Sequence, residues 1–398
     1  MKEEIGRSAM RTQVVIIGGG PSGLLLSQIL HRAGIDTVVL ERRSRDYVLS
    51  RIRAGVLEGG TVDMLRAAGV GTRMDVEGFV HTGIYVAAQN RGFRVDFDAL
   101  INQRVMVYGQ TEVTRDLYAA RDAMDGVVIH NAANVMPHDL DTNAPSVSYD
   151  TGGTTHQISC DYVVGCDGFH GVSRKCIPGT VLKEYERVYP FGWLGVLSQT
   201  PPVSPELIYA NHERGFALCS MRNANLSRYY IQAPVDDPLE KWSDDAFWDE
   251  LRRRIPTEAA ETLITGPSLE KSIAPLRSYI AEPMRWQRLF LVGDAAHIVP
   301  PTGAKGLNLA VSDVFYLSEG LIAQYRDGDA EGIDRYSERA LARVWKSVRF
   351  SWWFTTTMHR FPDQTPFDQR IQESELATLE ASVAAQTVLA ENYVGLPY

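Results

Sequence analysis

The turn Gly18-Gly19-Gly20-Pro21-Ser22-Gly23 constrains this chain more than any other feature. It follows a β-branched run, Val14 to Ile17, which favours a buried strand. It precedes LLLSQILHRA at helical spacing, which Gly34 stops. The strand TVVL comes next and ends at Glu41. Strand, glycine turn, helix and strand within about 30 residues make a βαβ unit of the GxGxxG type. In such a unit Gly18 permits the tight turn, Gly20 lets backbone approach a pyrophosphate, and Gly23 lets helix and strand pack closely. The helix N-terminus presents free N–H groups to the anion. Glu41 stands where a carboxylate bonds ribose hydroxyls. The motif fits FAD and NAD(P) alike.

The rest of the chain alternates. Residues 103–108 and 160–165 read as strands, and Arg115 to Met124 as a helix. From about 185 to 235, short runs of Tyr, Val, Ile and Phe broken by Pro, Asn and Gly read as strands. RLFLVGDAA is an apolar strand entering a turn, and 304–326 and 333–350 carry helical patterns. An α/β region at both ends with a β-rich insert between them is the expected architecture. The net charge of −9 argues against wholesale nucleic-acid binding. No apolar run is long enough for a membrane span, and MKEEIGRSAM lacks the apolar core of a secretory signal. Cys160, Cys166, Cys176 and Cys219 form no CxxC pair, so no metal site is expected and reduced, cytoplasmic thiols are.

Two further strands end in carboxylates: CDYVVGCDG at Asp167-Gly168, and RLFLVGDAAH at Gly293-Asp294. Each Asp alone could simply cap a turn. Together with the glycine turn, in this order, they resemble the single-component FAD-dependent aromatic hydroxylases. The strings RIRAGVLE, YGQTEVTRDL, YPFGWLG, LIYANH, GFALCS, SLEKSIAPLRS, GDAAHIVPPTGAKGLNLA, HRFPD and ENYVGLPY extend the resemblance over nearly the whole chain. It implies a Rossmann-like FAD-binding fold with an inserted β-sheet substrate domain and C-terminal helices. The FAD-binding parts would be 12–80, 106–183 and 277–325, the substrate parts 81–105 and 184–276, and the helical interface region 326–398.

The resemblance also implies an activity: hydroxylation of 4-hydroxybenzoate to 3,4-dihydroxybenzoate with a nicotinamide cofactor and O2, through a flavin C4a-hydroperoxide. A related aromatic acid, such as 4-aminobenzoate or a dihydroxybenzoate, is the alternative substrate. A flavin carrier without turnover is the rival of another class. A homodimer is implied as well.

Residue roles follow by position. Ser220 and Arg222 are two apart in a strand pattern, as are Arg228 and Tyr230 beyond the turn NANLS, so each pair shares a face. An Arg there can grip a carboxylate through two parallel hydrogen bonds, although such a face is also commonly solvated. The resemblance assigns Ser220, Arg222 and Tyr230 to the substrate carboxylate and Arg228 to the neighbourhood of the flavin. It makes Tyr209, Tyr393 and His81 a relay that removes the substrate's phenolic proton, and sets Pro301 beside the substrate hydroxyl. It places Ser22, Arg51, Arg53, Gln110, Asp167, Asp294, Lys305, Leu307 and Asn308 at the FAD with the glycines and Glu41. Arg42, Tyr47, Arg51, Arg53, His170 and Arg277 match positions that bind NADPH. Five arginines lie between Arg42 and Arg53. Arginines there favour a 2′-phosphate, so NADPH is expected and NADH is the alternative.

Overall fold

The computed structural model describes residues 10–50 and 55–398. Arg51 and Arg53 lie outside the described residues. The strands that matter for the site are β1 (Val14–Ile17), β2 (Thr37–Leu40), β3 (Gly83–Ala88), β4 (Arg91–Asp96), β5 (Val127–Ile129), β6 (Tyr162–Gly165), β7 (Lys183–Ser198), β8 (Ile208–Asn211), β9 (Ala217–Asn223), β10 (Leu226–Ala233), β11 (Ser268–Glu282), β12 (Arg285–Trp286), β13 (Leu289–Leu291) and β14 (His297–Ile298). The helices that matter with them are α1 (Pro21–Arg32), α2 (Gln110–Ala123), α3 (Asp244–Arg254), α4 (Gly306–Asp327), α5 (Tyr336–Met358), α6 (Pro366–Ala381) and α7 (Val383–Val394).

Among the described residues, one sheet has the order β12-β13-β6-β1-β2-β5. All its pairings are parallel except β12 with β13. Its four central strands, β13, β6, β1 and β2, are buried along their whole length, as a sheet covered on both faces requires. The loops after β1, β2, β6 and β13 therefore meet at one edge, outside the strands' carboxyl ends, where sheets of this kind bind ligands. These loops hold the glycine turn, Glu41, Asp167 and Asp294.

The second sheet has the order β14-β11-β7-β10-β9-β8-β3-β4. Alternation along its strands separates two cores. Leu194, Val196, Ile208, Cys219, Tyr229 and Ile231 pack under Phe247, Trp248 and Leu251 of α3. Trp193, Tyr209, Phe216 and Leu218 face the other way, toward Phe354 and Met358 of α5 and Tyr393 of α7. The site lies on this second face. Strand β11 crosses position 276, the expected end of the insert, without a break.

Two elements differ from expectation. α2 starts at Gln110, five residues before the expected Arg115, because Gly109 turns the chain into the helix directly from the preceding strand. α5 runs to Met358, beyond the expected 350. The run FSWWF favours strand by composition, yet Phe350, Phe354 and Met358 recur every four residues and are all buried.

Candidate active site

The glycine turn is shaped by close packing on one side and open space on the other. Gly18 has φ +113°, and a Cβ there would lie 2.2 Å from the Cys166 carbonyl oxygen. A Cβ on Gly20 would meet nothing within 4 Å, which leaves room in front of the α1 N-terminus. Gly18→Ala is therefore expected to give protein that purifies without flavin, checked by the absorbance of bound FAD. Ser22 is buried in the first turn of α1. Glu41 uses Oε2 to accept the Gly19 N–H at 2.7 Å and Oε1 to accept the Arg43 N–H at 2.7 Å. It thus pins the glycine loop to the end of β2, and each oxygen keeps a further lone pair for a ribose hydroxyl. Gln110 is half-buried at the start of α2.

Asp167 is held by one oxygen. Oδ2 accepts from the Ser173 N–H and hydroxyl, both at 2.9 Å, while Oδ1 is buried without a partner. Burial pushes its carboxyl above the usual range, against the Ser173 bonds. Asp294 is exposed on the turn that follows β13. The open space at Gly20, the orphaned Asp167 oxygen and the exposed Asp294 carboxylate fit a dinucleotide laid along the sheet edge.

The loop from His297 to Asn308 closes one side. Pro301 is exposed on a short 3-10 turn, and Ala304 takes the left-handed conformation at φ +53°. Lys305 does not stand as a free cation. Its buried Nζ donates to Glu58 Oε1 at 2.5 Å and to the Tyr393 carbonyl at 2.9 Å. Arg343 donates to the other Glu58 oxygen at 3.1 Å. Burial lowers the Lys305 pKa, and Glu58 opposes that.

The Asn308 side chain has all four of its hydrogen-bonding positions taken, which leaves its backbone to meet a flavin. Oδ1 accepts from the Glu58 N–H at 2.9 Å and the Thr61 hydroxyl at 2.8 Å. Nδ2 donates to the carbonyls of Val56 at 2.9 Å and Ala304 at 2.8 Å. Leu307, between the two, is half-buried. Glu58 and Arg343 went unnoticed in the sequence, since a lone Glu in VLEGG and an Arg inside a helix carry no signal of a shared site.

The opposite wall is the second sheet. Ser220 pairs with Arg228, and Leu218 with Tyr230, across β9 and β10. Ser220, Arg228 and Tyr230 therefore share a face, whereas the pairing is irregular between Met221 and Asn223, at Arg222. Gly195 on β7 sits opposite Tyr230. A Cβ on Gly195 would lie 2.8 Å from the Tyr230 ring, so the missing side chain makes the room that Tyr230 fills. Arg228 is buried, contacts Glu270 at 3.2 Å and stacks 5.2 Å from the Tyr230 ring. Arg222 donates from Nη1 to the Met221 carbonyl at 3.0 Å, and its Nε is buried without a partner. Ser220 donates its hydroxyl proton to the Arg228 carbonyl at 2.7 Å. As placed it cannot also donate to a ligand, which corrects the expectation of a direct carboxylate contact in this rotamer.

Tyr209 and Tyr393 meet hydroxyl to hydroxyl at 2.8 Å, with both rings buried. Burial raises both phenol pKa values. Phe97 stacks on Tyr393 at 5.3 Å. The expected third member, His81, is also buried, but neither ring nitrogen has a hydrogen-bond partner among the described residues. Burial pushes its pKa down, opposed by Glu206. Two members of the expected relay are therefore in direct contact and the third is not.

Of the candidate nicotinamide-binding residues, Arg42 and Tyr47 are exposed. The Arg43 guanidinium lies 5.1 Å from the Tyr47 ring, and Arg45 pairs with Asp122 at 2.6 Å. His170 and Arg277 come together on Phe169, His170 edge-on at 5.0 Å and Arg277 at 4.8 Å over the ring.

The site has a third residue that the sequence concealed. His359, just beyond α5, is fully buried and accepts the Trp193 indole N–H at 2.7 Å. Burial pushes its pKa down to about 3, against the opposing bond to Thr355. An unfolded histidine titrates near ~6.5. The unfolded chain therefore gains a proton in acid that the folded chain refuses. This contribution to stability is complete above pH ~6.5 and is lost at about 1.4 kcal/mol per pH unit as pH falls toward 3. In thermal melts, His359→Gln is expected to lose less stability than the unaltered protein between pH 7 and pH 5. Parallel losses would contradict the buried neutral state.

The comparisons with known proteins agree with this geometry. The FAD binding domain family matches residues 11–351. The p-hydroxybenzoate hydroxylase of Acinetobacter baylyi is 56% identical over 390 residues, which is 98% of this chain and 96% of that protein. The chain belongs to the FAD-dependent aromatic monooxygenases. A more distant member, the rifampicin monooxygenase of Streptomyces venezuelae, is 26% identical over 80% of this chain and 66% of its own length. The solved structure of p-nitrophenol 4-monooxygenase PnpA from Pseudomonas putida superposes with a TM-score of 0.83 at 18% identity, covering 98% of this chain and 100% of that one. At that identity it shows the shared fold alone. As a member of this family of monooxygenases, the chain is an FAD enzyme with the Rossmann-like FAD-binding fold. Among the described residues no helix is long and apolar enough to cross a membrane.

Proposed function

We propose that this monooxygenase hydroxylates 4-hydroxybenzoate at the carbon next to the phenol, giving 3,4-dihydroxybenzoate with NADPH and O2. The observation that carries the proposal is the buried 2.8 Å contact between Tyr209 and Tyr393, on the face that also carries Tyr230, the neighbour of Arg222. FAD, once reduced by the nicotinamide cofactor, supplies the activated oxygen. The chain's own residues do the rest. Arg222, with a buried Nε that lacks a partner, takes the substrate carboxylate, and Tyr230 stands beside it. This fixes the ring with its hydroxyl toward Tyr209. A phenol holds its proton up to pH ~10, and its phenolate is the better carbon nucleophile. Tyr209 accepts the substrate proton as it passes its own to Tyr393, so no tyrosinate needs to persist in the apolar interior. His81 receives the proton next, reached through water because it touches neither tyrosine. Pro301 closes the pocket against bulk solvent.

The glycine turn, Ser22, Glu41, Gln110, Asp167, Asp294 and the backbone at Leu307 and Asn308 hold the FAD, with Arg51, Arg53, Arg228 and Lys305 around it. Arg42, Tyr47, His170 and Arg277 take NADPH, and the basic run after Glu41 favours its 2′-phosphate. The exposed apolar residues Trp345 and Trp352, two turns apart on α5, and Phe367 and Ile371, one turn apart on α6, support a homodimer. The free cysteines fit a cytoplasmic enzyme.

The substrate is tested by comparing product formed with NADPH consumed across 4-hydroxybenzoate, 4-aminobenzoate and 2,4-dihydroxybenzoate. The proposal expects the highest ratio with 4-hydroxybenzoate. A higher ratio with either of the others would reassign the substrate.

A further inference from the structure

The C-terminal turn of α5 gathers three walls of the proposed site. A helix end leaves its last four carbonyls without helical partners. Here the His359 side chain, just beyond the helix, and two side chains from distant elements take them. The Thr355 carbonyl accepts the Nδ1–H of His359 at 2.9 Å. Gln372 donates to the carbonyls of Thr356 and His359, both at 2.8 Å. Asn211 donates to those of Thr357 and Met358, both at 3.2 Å. Asn211 ends β8, the strand that carries Tyr209. The Thr355 hydroxyl also donates to that of Thr302 at 3.0 Å, in the loop of Pro301.

His359 stands at the centre of this turn. Its ring is parallel to Phe191 at 4.8 Å and stacks on Phe216 at 4.2 Å. With the proton on Nδ1 directed at Thr355, Nε2 keeps its lone pair, and the Trp193 indole N–H points into it. Trp193 and Gly195 share a face of β7, and Tyr230 lies opposite Gly195, so Trp193 meets Tyr230 on the diagonal. The two ring centroids are 5.0 Å apart.

We propose that His359 is a positioning residue for recognition of the aromatic acid. It fixes the indole of Trp193, and the indole fixes the Tyr230 side of the carboxylate clamp. The inference rests on the reading of Arg222 and Tyr230 as that clamp. A histidine that only filled the core would affect folding without selecting for ligand affinity.

The test is a titration of FAD-loaded enzyme with 4-hydroxybenzoate, followed by the change in flavin absorbance. Failure of the unaltered enzyme to bind would refute the clamp reading itself. Given binding, His359→Leu is expected to raise Kd about tenfold, as loss of a buried acceptor does, with kcat at saturation within about twofold. His359→Gln, whose amide oxygen can accept the indole proton, restores Kd to within about threefold. Trp193→Phe reproduces the loss, and combining it with His359→Leu adds nothing, because the two changes remove one interaction. An unchanged Kd in His359→Leu, or additive losses in the double variant, overturns the proposal. Should His359→Leu fail to fold, Trp193→Phe binding with the unaltered Kd overturns it equally.

Discussion

Tyr209→Phe is expected to lower the rate of product formation by about 10²-fold while Kd for 4-hydroxybenzoate stays within about threefold. The substitution removes one oxygen from a fully buried ring and keeps the packing against Phe216 and Phe354. What disappears is the 2.8 Å contact to Tyr393 and, with it, the path for the substrate proton. The carboxylate clamp is untouched, so binding persists. Rapid mixing of enzyme, substrate and O2 with quantification of 3,4-dihydroxybenzoate separates the two quantities. A variant that binds poorly yet hydroxylates at the normal rate once saturated would mean that Tyr209 shapes the pocket and moves no proton. Tyr393→Phe interrupts the same path one hydroxyl later.

Arg222→Leu is expected to raise KM for the aromatic acid by about 10²- to 10³-fold, the loss that follows removal of a charge-assisted, bidentate partner from a desolvated carboxylate. The stability prediction runs the other way. Without ligand, the Arg222 Nε is buried and unpaired, and burial lowers the guanidinium's pKa first of all. Leucine relieves that penalty. The melting temperature of the free variant should therefore equal or exceed that of the unaltered enzyme. A large fall in melting temperature with an unchanged KM would mark Arg222 as a structural residue and move the clamp elsewhere on the sheet.

The local parts of this site are legible in the sequence, and the distant parts are not. The glycine turn announces itself because strand, turn, helix and acid follow one another within one βαβ unit. The shared face of Ser220 with Arg228 and Tyr230 follows from the two-residue period of a strand, which breaks at Arg222. Even there the fate of the Ser220 hydroxyl depends on a cross-strand carbonyl that periodicity cannot assign. The Tyr209–Tyr393 contact joins a strand to a helix far along the chain, and only the resemblance hinted at it. The Lys305–Glu58–Arg343 cluster and the His359–Trp193 bond gave no signal at all. Each is made by tertiary packing between segments with no local pattern in common. Asn308 is another case: the resemblance puts it at the cofactor, and nothing local shows that folding uses its amide to tie its loop to residues 56–61.

In the proposed function, Tyr209 and Tyr393, with Arg222 holding the carboxylate, activate a phenol for oxygen transfer. The most direct measurement is the stoichiometry of 3,4-dihydroxybenzoate formed to NADPH oxidised by purified, FAD-loaded enzyme in aerated buffer. 4-Hydroxybenzoate is expected to stimulate NADPH oxidation, with product accounting for most of the NADPH consumed. No stimulation and no 3,4-dihydroxybenzoate, with either NADPH or NADH, would contradict it.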